Sequence, residues 1–330
     1  MLVRMSLAGL KRFVRSLRPE KETGAANVLF PPGFLASLER LRLVALKAIG
    51  GGLREGHRLG AYKGGQLEFH GHRNYVPGDE LRYIDWNSFA RLDKPYIKEF
   101  AREEAGIVHL LVDGTPSMGL GEPSKWIFAR RLAALFAHVA LLSKDRAKLY
   151  VFKGLQDKLE IYPRSGQRAG IRQYLRFLEE QALARVPENG AYESAGTFAH
   201  AIEHFVRMQP ERGRVIVIGD FWFPETEIIA AIGRLAGSGF DVSAIHVLAP
   251  EEIVPDAEGN LLARAVEESG EVELSSSPDL PQRYAAELER HRRTIEDAIR
   301  RRGGLYLLER SDTSIEHALI GALRQRRWVM

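Results

Sequence analysis

The 330-residue chain contains no cysteine. This absence excludes disulfide bonds, thiolate nucleophiles, iron–sulfur clusters and zinc sites with cysteine ligands. Long apolar runs are missing too: the longest candidate covers residues 132–142 and contains His138, whereas a membrane-spanning helix needs about 20 apolar residues. No Gly-x-x-x-x-Gly-Lys-Ser/Thr sequence occurs, so the chain lacks a P-loop and any ATP-driven work is expected from a partner.

Charge is nearly balanced, with 47 Lys and Arg against 43 Asp and Glu. The net charge of +4 lies in residues 1–30, which hold six basic and two acidic side chains. A nucleic-acid-binding protein usually carries its basic residues through the fold, so no nucleic-acid partner is expected. Residues 1–21 alternate basic side chains with apolar ones at helical spacing, which suits either a peripheral membrane contact or a solvated basic terminus.

Changes in composition and in apolar patterning along the sequence predict three segments. Residues 1–32 form a basic arm and linker, residues 33–103 a helical and β-rich subdomain, and residues 104–330 an α/β domain. In the subdomain we predict a helix over 34–49 and a strand over 95–101 that turns back antiparallel into the next strand. The basic start is not followed by an apolar stretch, so we expect no secretory signal and a cytoplasmic location, with the inner-membrane surface as the alternative.

Apolar runs and amphipathic segments alternate from residue 107 onward. The predicted strands are 107–112, 147–152, 158–161, 214–218, 240–247 and 305–308. The predicted helices are 124–143, 167–182, 197–208, 225–236, 279–302 and 313–325. This alternation predicts a doubly wound, mostly parallel sheet with helices on both faces. Binding sites in such sheets lie at the carboxyl ends of the strands.

Oxygen-bearing side chains follow these strand ends. The first strand runs into Asp113, Thr115 and Ser117, Thr197 opens a helix, and Asp220 follows the strand 214–218. Carboxylates and hydroxyls are hard ligands of the kind that Mg²⁺ and Mn²⁺ prefer, so these five residues are the candidate metal ligands. The alternative is that Asp, Ser and Thr at these positions cap helices.

These residues resemble a known site. Asp113-x-Thr115-x-Ser117, followed by Thr197 and Asp220, is similar to the metal-ion-dependent adhesion site of von Willebrand factor A domains, with threonine in place of the usual serine at 115. The resemblance implies a von Willebrand factor A-type fold and a bound Mg²⁺ or Mn²⁺ whose open coordination position accepts an acidic residue of a partner.

The preceding segment resembles a second signature, that of the prokaryotic "domain of unknown function 58" family, which carries an A-domain-like module just afterwards. The matching residues are Glu68-Phe69, Arg73-x-Tyr75-x-x-Gly78-Asp79-x-x-Arg82-x-Ile84-Asp85-Trp86 and Ala90-Arg91. Members are often encoded beside MoxR-type AAA+ ATPases. The resemblance, over about residues 33–325, therefore implies an adaptor that works with such an ATPase in the assembly or maturation of protein complexes.

Three further motifs leave alternatives open. Phe221, Trp222 and Phe223 follow Asp220 as either a core plug or an exposed partner anchor. The arginines of the second signature can pair with Asp79, Asp85 and Glu68, as a structural network or a binding site. His70 and His72 have zinc spacing but no evident third ligand.

Catalysis is the least supported class, and we expect a protein that is not an enzyme. A metal-dependent hydrolase on the same ion lacks a histidine in the three loops, and residues 114–119 depart from the Gly-x-Ser-x-Gly elbow that would pair Ser117 with a base such as His246. A structural adaptor with an empty site is the third hypothesis.

Overall fold

A computed structural model describes residues 29–31, 33, 34, 36, 38, 67–102, 106–154, 159–163, 169–184, 196–254, 261–264, 271–274, 280–315, 317 and 318; it describes the backbone alone at 67–71, 98–102, 261–264, 271–274 and 280. The chain divides into two compact units. The smaller is Gly51–Gly106, and the larger combines Met1–Gly50 with Ile107–Met330.

The smaller unit is built on an antiparallel hairpin of β1 (Leu67–Asn74) and β2 (Tyr96–Arg102). The segment that connects β1 to β2 contains a 3₁₀ turn, Leu81–Tyr83, and helix α1, Trp86–Leu92. Helix α1 begins where it does because the Asp85 carboxylate accepts hydrogen bonds from two backbone N–H groups of the first turn. The described part of this unit is therefore held together by local contacts, namely the Asp85 cap of α1 and the pairing of β1 with β2.

The predicted strand 95–101 exists, but its predicted pairing is wrong. It pairs with β1, with Tyr96 opposite Asn74, and does not turn back onto the strand that begins at Ile107. The physical reason is that both edges of that later strand are occupied by parallel neighbours, so no edge remains for an antiparallel partner.

The larger unit is a layered α/β domain. Its strands are β3 (Ile107–Asp113), β4 (Arg146–Phe152), β5 (Glu160–Tyr162), β6 (Arg214–Gly219), β7 (Asp241–Leu248), β8 (Leu261–Arg264), β9 (Glu271–Leu274) and β10 (Tyr306–Arg310). Its helices are α2 (Lys125–Leu142), α3 (Ile171–Glu180), α4 (Thr197–Arg207), α5 (Glu225–Gly237), α6 (Pro250–Ile253) and α7 (Leu280–Arg300).

The six-stranded sheet has the order β10-β7-β6-β3-β4-β5. All neighbours are parallel except β5, which runs antiparallel to β4 at one edge. Because the chain starts at the central β3 and winds outward in both directions, the sheet is doubly wound. The predicted doubly wound, mostly parallel sheet is confirmed.

Apolar cores cover both faces of this sheet. Successive β3 side chains alternate between them, with Leu110 and Val112 in the core under α2 and α3, and Leu111 in the core under α4, α5 and α7. Helix α2 is buried over most of its length, as its nearly continuous apolar sequence predicts. The central strands are thus packed between two apolar cores.

The division between units differs from the predicted boundaries. Phe34 and Leu38 lie in the core of the larger unit, and Arg131 of α2 donates a hydrogen bond to the Leu29 carbonyl at 2.7 Å. Met1–Gly50 therefore groups with the α/β domain, in whose core Leu29, Phe34 and Leu38 are buried, whereas the sequence assigns 33–50 to the subdomain. On the other side, the division falls at Gly106, three residues after the predicted boundary at 103.

Within the larger unit, the short helix α6 and the β8–β9 hairpin are absent from the sequence prediction. Most of the predicted helices 34–49 and 313–325 lies outside the described residues, as does the arm at 1–21. Within the part of the chain that the structure describes, no helix combines the length and the apolarity needed to cross a membrane.

Candidate functional site

The candidate site lies at the carboxyl edge of the sheet, between the ends of β3 and β6. Val112 and Ile218 are paired in the parallel register, so Asp113 lies beside Gly219. A Cβ atom at Gly219 would lie 2.7 Å from the Asp113 Cβ and 2.9 Å from its Oδ2. The lack of a side chain at 219 therefore creates the space in which the Asp113 carboxylate lies.

Asp113, Thr115 and Ser117 form one hydrogen-bonded turn. The Asp113 Oδ1 atom accepts the Thr115 backbone N–H at 2.9 Å and the Thr115 hydroxyl at 2.7 Å. The Thr115 Oγ1 lies 3.1 Å from the Ser117 Oγ. A 3₁₀ turn over Pro116–Gly119 gives the loop this curvature, and all three side chains are buried.

Asp220 joins this turn from the end of β6. Its carboxylate is fully buried and accepts the Trp222 backbone N–H at 3.2 Å, and the nearby Ser117 hydroxyl helps to lower its pKa. The structure thus brings four of the five predicted residues together, with Asp113, Thr115 and Ser117 in one hydrogen-bonded turn and Asp220 beside Ser117.

Thr197, the fifth, is the fully buried first residue of α4. The ring of the next residue, Phe198, lies 6.0 Å from that of Phe221 and 5.9 Å from that of Phe152, which is opposite Asp113 in β4. The start of α4 therefore lies at the same edge of the sheet.

A glutamate of the neighbouring helix α5 fixes that helix start. The Glu227 carboxylate accepts the backbone N–H groups of Gly196 and Ala199, each at 2.9 Å. The carboxylate thereby satisfies N–H groups that have no partner within the helix and interacts favourably with the positive end of the helix dipole. Glu227 is not among the residues that the sequence predicts for the site.

A buried lysine contacts the site from a third element. The Lys125 Nζ, on the first turn of α2, lies 2.7 Å from the Asp220 Oδ2 and 2.5 Å from the Glu252 Oε1. All three side chains are fully buried. Burial alone would lower the pKa of Lys125, but the two carboxylates outweigh it and raise the pKa, so the lysine is charged.

The pKa values of Asp220 and Glu252 shift in opposite directions. Burial would raise the pKa of Asp220, but the Lys125 ammonium and the hydrogen bonds hold that pKa below its usual value. Burial raises the pKa of Glu252, although Lys125 and the Ala249 N–H oppose the effect. Asp220 is therefore the ionised partner of Lys125, and Glu252 is the carboxyl that is more easily protonated.

Glu252 is itself anchored. One of its carboxylate oxygens accepts the Trp222 indole N–H at 3.0 Å, the other accepts the Ala249 backbone N–H at 2.7 Å, and its carbonyl accepts the Tyr284 hydroxyl. Lys125 and Glu252 are not among the residues that the sequence predicts for the site. A signal existed for Lys125, because a cation in the first turn of a helix is electrostatically unfavourable and implies a carboxylate nearby.

Phe221, Trp222 and Phe223 are a core plug, and the alternative of an exposed partner anchor is wrong. They are 1%, 3% and 2% exposed. Phe223 stacks on Phe198 at 5.3 Å, and Trp222 stacks on His291 of α7 at 5.4 Å with the rings 3° from parallel. Their burial holds Asp220 in place, because the backbone that carries it continues directly into the core.

The signature of the smaller unit forms a local polar network. Arg73 donates two hydrogen bonds to Asp79, both at 2.6 Å, as predicted. Asp85 accepts hydrogen bonds from Ser88 and contacts the His72 Nε2 at 2.6 Å. The side chains of Glu68 and His70 lie outside the described residues. Within those residues no group of three or more His, Cys, Asp or Glu forms a metal cluster, and His72 has a carboxylate partner.

His246, the base considered for a hydrolase, has another partner. Its Nδ1 lies 2.7 Å from the Tyr306 hydroxyl, and the side chain is fully buried. Burial and the neighbouring His291 lower the pKa of His246 to about 3, so the ring is neutral. This environment favours a structural role for His246.

Comparison with known proteins places the chain in a family. A family model described as "Protein of unknown function DUF58" matches residues 71–294, more than half of the chain. The protein is 28% identical over 310 residues to the uncharacterized protein Rv1480 of Mycobacterium tuberculosis, a match that covers 88% of this chain and 92% of the relative.

Among solved structures, the conserved hypothetical protein BatB of Bacteroides thetaiotaomicron aligns with a TM-score of 0.41 and 22% identity, over 67% of this chain and 100% of that one. The SpRpn10 VWA domain aligns with a TM-score of 0.38 and 11% identity, over 66% and 94%. From the family match, the chain belongs to the family of proteins of unknown function DUF58.

Proposed function

We propose that the chain is a protein–protein interaction module in which a divalent ion, Mg²⁺ or Mn²⁺, bridges the site to an acidic residue of a partner. The supporting observation is the buried oxygen cluster of Asp113, Thr115, Ser117 and Asp220 at the carboxyl edge of the sheet. Carboxylate and hydroxyl oxygens are the donor set that these ions prefer.

The spacing of the two hydroxyls also supports this proposal. The Thr115 hydroxyl donates to the Asp113 Oδ1 at 2.7 Å, and the Thr115 Oγ1 lies within hydrogen-bond distance of the Ser117 Oγ, at 3.1 Å. Neighbouring ligands in an octahedron with metal–oxygen distances of about 2.0–2.1 Å are about 2.8–3.0 Å apart, so this spacing suits a shared cation.

Each predicted residue then has a role. Asp113 supplies negative charge, the hydroxyls of Thr115, Ser117 and Thr197 supply neutral oxygens, and Asp220 acts as an outer carboxylate through water. Threonine at 115 retains the hydroxyl that serine has at the corresponding position of the resembled motif. A bound divalent cation neutralises the desolvated carboxylate that a partner brings, so binding depends on the metal.

For the partner we propose a MoxR-type AAA+ ATPase, in the assembly or maturation of protein complexes. The resemblance to the family whose genes neighbour such ATPases supports this choice, and the chain itself has no P-loop for ATP. An ATP-driven partner places the proposed contact in the cytoplasm. The role is binding rather than catalysis, and no nucleic acid takes part.

The test is capture of the AAA+ ATPase encoded nearest this gene by the full chain, in Mg²⁺ and in EDTA. The variants are Asp113→Ala and the control Asp241→Ala, which makes the same substitution at an exposed position at the opposite end of the strands. We expect capture in Mg²⁺ by wild type and Asp241→Ala, and loss in EDTA or with Asp113→Ala. Capture that is insensitive to both changes would contradict the metal bridge.

A further inference from the structure

The ion triplet of Lys125, Asp220 and Glu252 needs an explanation beyond packing. A fully buried lysine is costly, and one in the first turn of a helix also lies at the positive end of the helix dipole. The same Asp220 is the outer carboxylate of the proposed metal site. Its Oδ2 is hydrogen-bonded to the Lys125 ammonium, and its Oδ1 to the Trp222 N–H.

We propose that Lys125 is a tethered cation that competes with the divalent metal for Asp220 and thereby sets the metal affinity of the site. Without metal, its ammonium neutralises the buried carboxylate and keeps the site folded. With metal, its positive charge opposes the ion and its hydrogen bond withholds Asp220 from direct ligation. This inference rests on the proposed function, since it concerns the same site.

Glu252 explains how Lys125 can remain in the site when a metal competes for Asp220. It provides a second carboxylate for the ammonium, and its own position is fixed by the Trp222 indole and by the Ala249 N–H. Lys125 can therefore loosen its contact with Asp220 without becoming an unpaired buried cation. The competition between lysine and metal thus takes place within a framework that does not have to unfold.

The experiment compares Glu252→Gln with the double variant Lys125→Met/Glu252→Gln in the full chain. Lys125→Met alone would leave two buried carboxylates facing each other, whereas the double variant removes one positive and one negative charge. The two proteins then differ only in the lysine. The readouts are the dissociation constant for Mn²⁺, from the electron paramagnetic resonance signal of the free ion, and the Mg²⁺-dependent shift in melting temperature.

We expect Mn²⁺ to bind about ten-fold or more tightly to the double variant than to Glu252→Gln, because a positive charge beside the cation has been removed. Adding Asp113→Ala to the double variant should abolish this binding, which locates the ion at the site. Circular dichroism checks folding. Where the methionine variant is unfolded, Lys125→Gln/Glu252→Gln carries the same expectation, since its amide can still donate to Asp220.

The outcomes separate the two proposals. If wild type binds Mn²⁺ and the double variant binds it no more tightly than Glu252→Gln does, the proposed role of Lys125 is wrong. The proposed metal site is then still supported. If the double variant binds Mn²⁺ and neither wild type nor Glu252→Gln does, the result supports the competition, because the lysine then prevents metal binding altogether. If no protein binds Mn²⁺, both the metal bridge and the role of Lys125 are wrong.

Discussion

At the scale of single residues, the site depends on a glycine, which has no side chain, and on a buried lysine, which brings a positive charge. Gly219 leaves the space that the Asp113 carboxylate fills, and Lys125 brings a cation to Asp220. Asp113, Thr115 and Ser117 could be found from the sequence because they follow a recognisable buried strand. Lys125 and Glu252 could not be paired from it, because they are 127 positions apart and α6 is too short to show a helical period.

The Gly219→Ala variant tests the first feature. A methyl group there would collide with the Asp113 side chain, so we expect a loss of about 1–3 kcal/mol in the free energy of unfolding. Urea denaturation measures it. The control is Gly237→Ala at the end of α5, where no neighbouring atom lies within 4 Å of the added methyl. A Gly219→Ala protein as stable as this control would contradict the close packing.

At the scale of elements, the start of α4 is held by its neighbour. Glu227 of α5 accepts two N–H groups from that helix start, so the position of Thr197 depends on a helix that follows it in the chain. Hydrophobic periodicity located both helices, but it carries no information on which side chain caps which end. The pairing of β2 with β1 was missed for a related reason, since strand partners are chosen by tertiary context.

Glu227→Gln should therefore destabilise the chain by about 1 kcal/mol, because the amide keeps an acceptor but loses the charge that favours the helix N-terminus. The comparison is Glu203→Gln on α4, which breaks an exposed pair with Arg207 and should change stability by less than about 0.5 kcal/mol. Thermal unfolding of both variants gives the result. Equal effects would mean that Glu227 acts as an ordinary surface charge.

At the scale of the whole molecule, the sheet contains a buried histidine that makes stability depend on pH. His109 of β3 is fully buried, hydrogen-bonded to the Glu211 carbonyl at 2.8 Å and surrounded by aromatic rings. Burial lowers the pKa of His109 to about 4. The unfolded chain binds this proton below its ordinary pKa of 6.5, whereas the folded chain does not until about 4. The contribution of His109 to stability is therefore complete above pH 6.5 and is lost as the pH drops toward 4.

We expect the free energy of unfolding to fall between pH 6.5 and 4 with a contribution from His109 of up to about 1.4 kcal/mol per pH unit. His109→Gln should remove that part of the slope, as urea denaturation at several pH values would show. The control is the same substitution at an exposed position, His200→Gln. A slope that is the same in wild type and His109→Gln would exclude this histidine as its source.

The burial of Trp222 also gives the protein an intrinsic optical probe. The indole stacks on His291, donates to the carboxylate that holds Lys125, and is two residues from Asp220. The chain contains four tryptophans, and Trp86 is largely exposed. With the other three replaced, the fluorescence of Trp222 would report any rearrangement of charge at the site directly, without a label and without the partner being known.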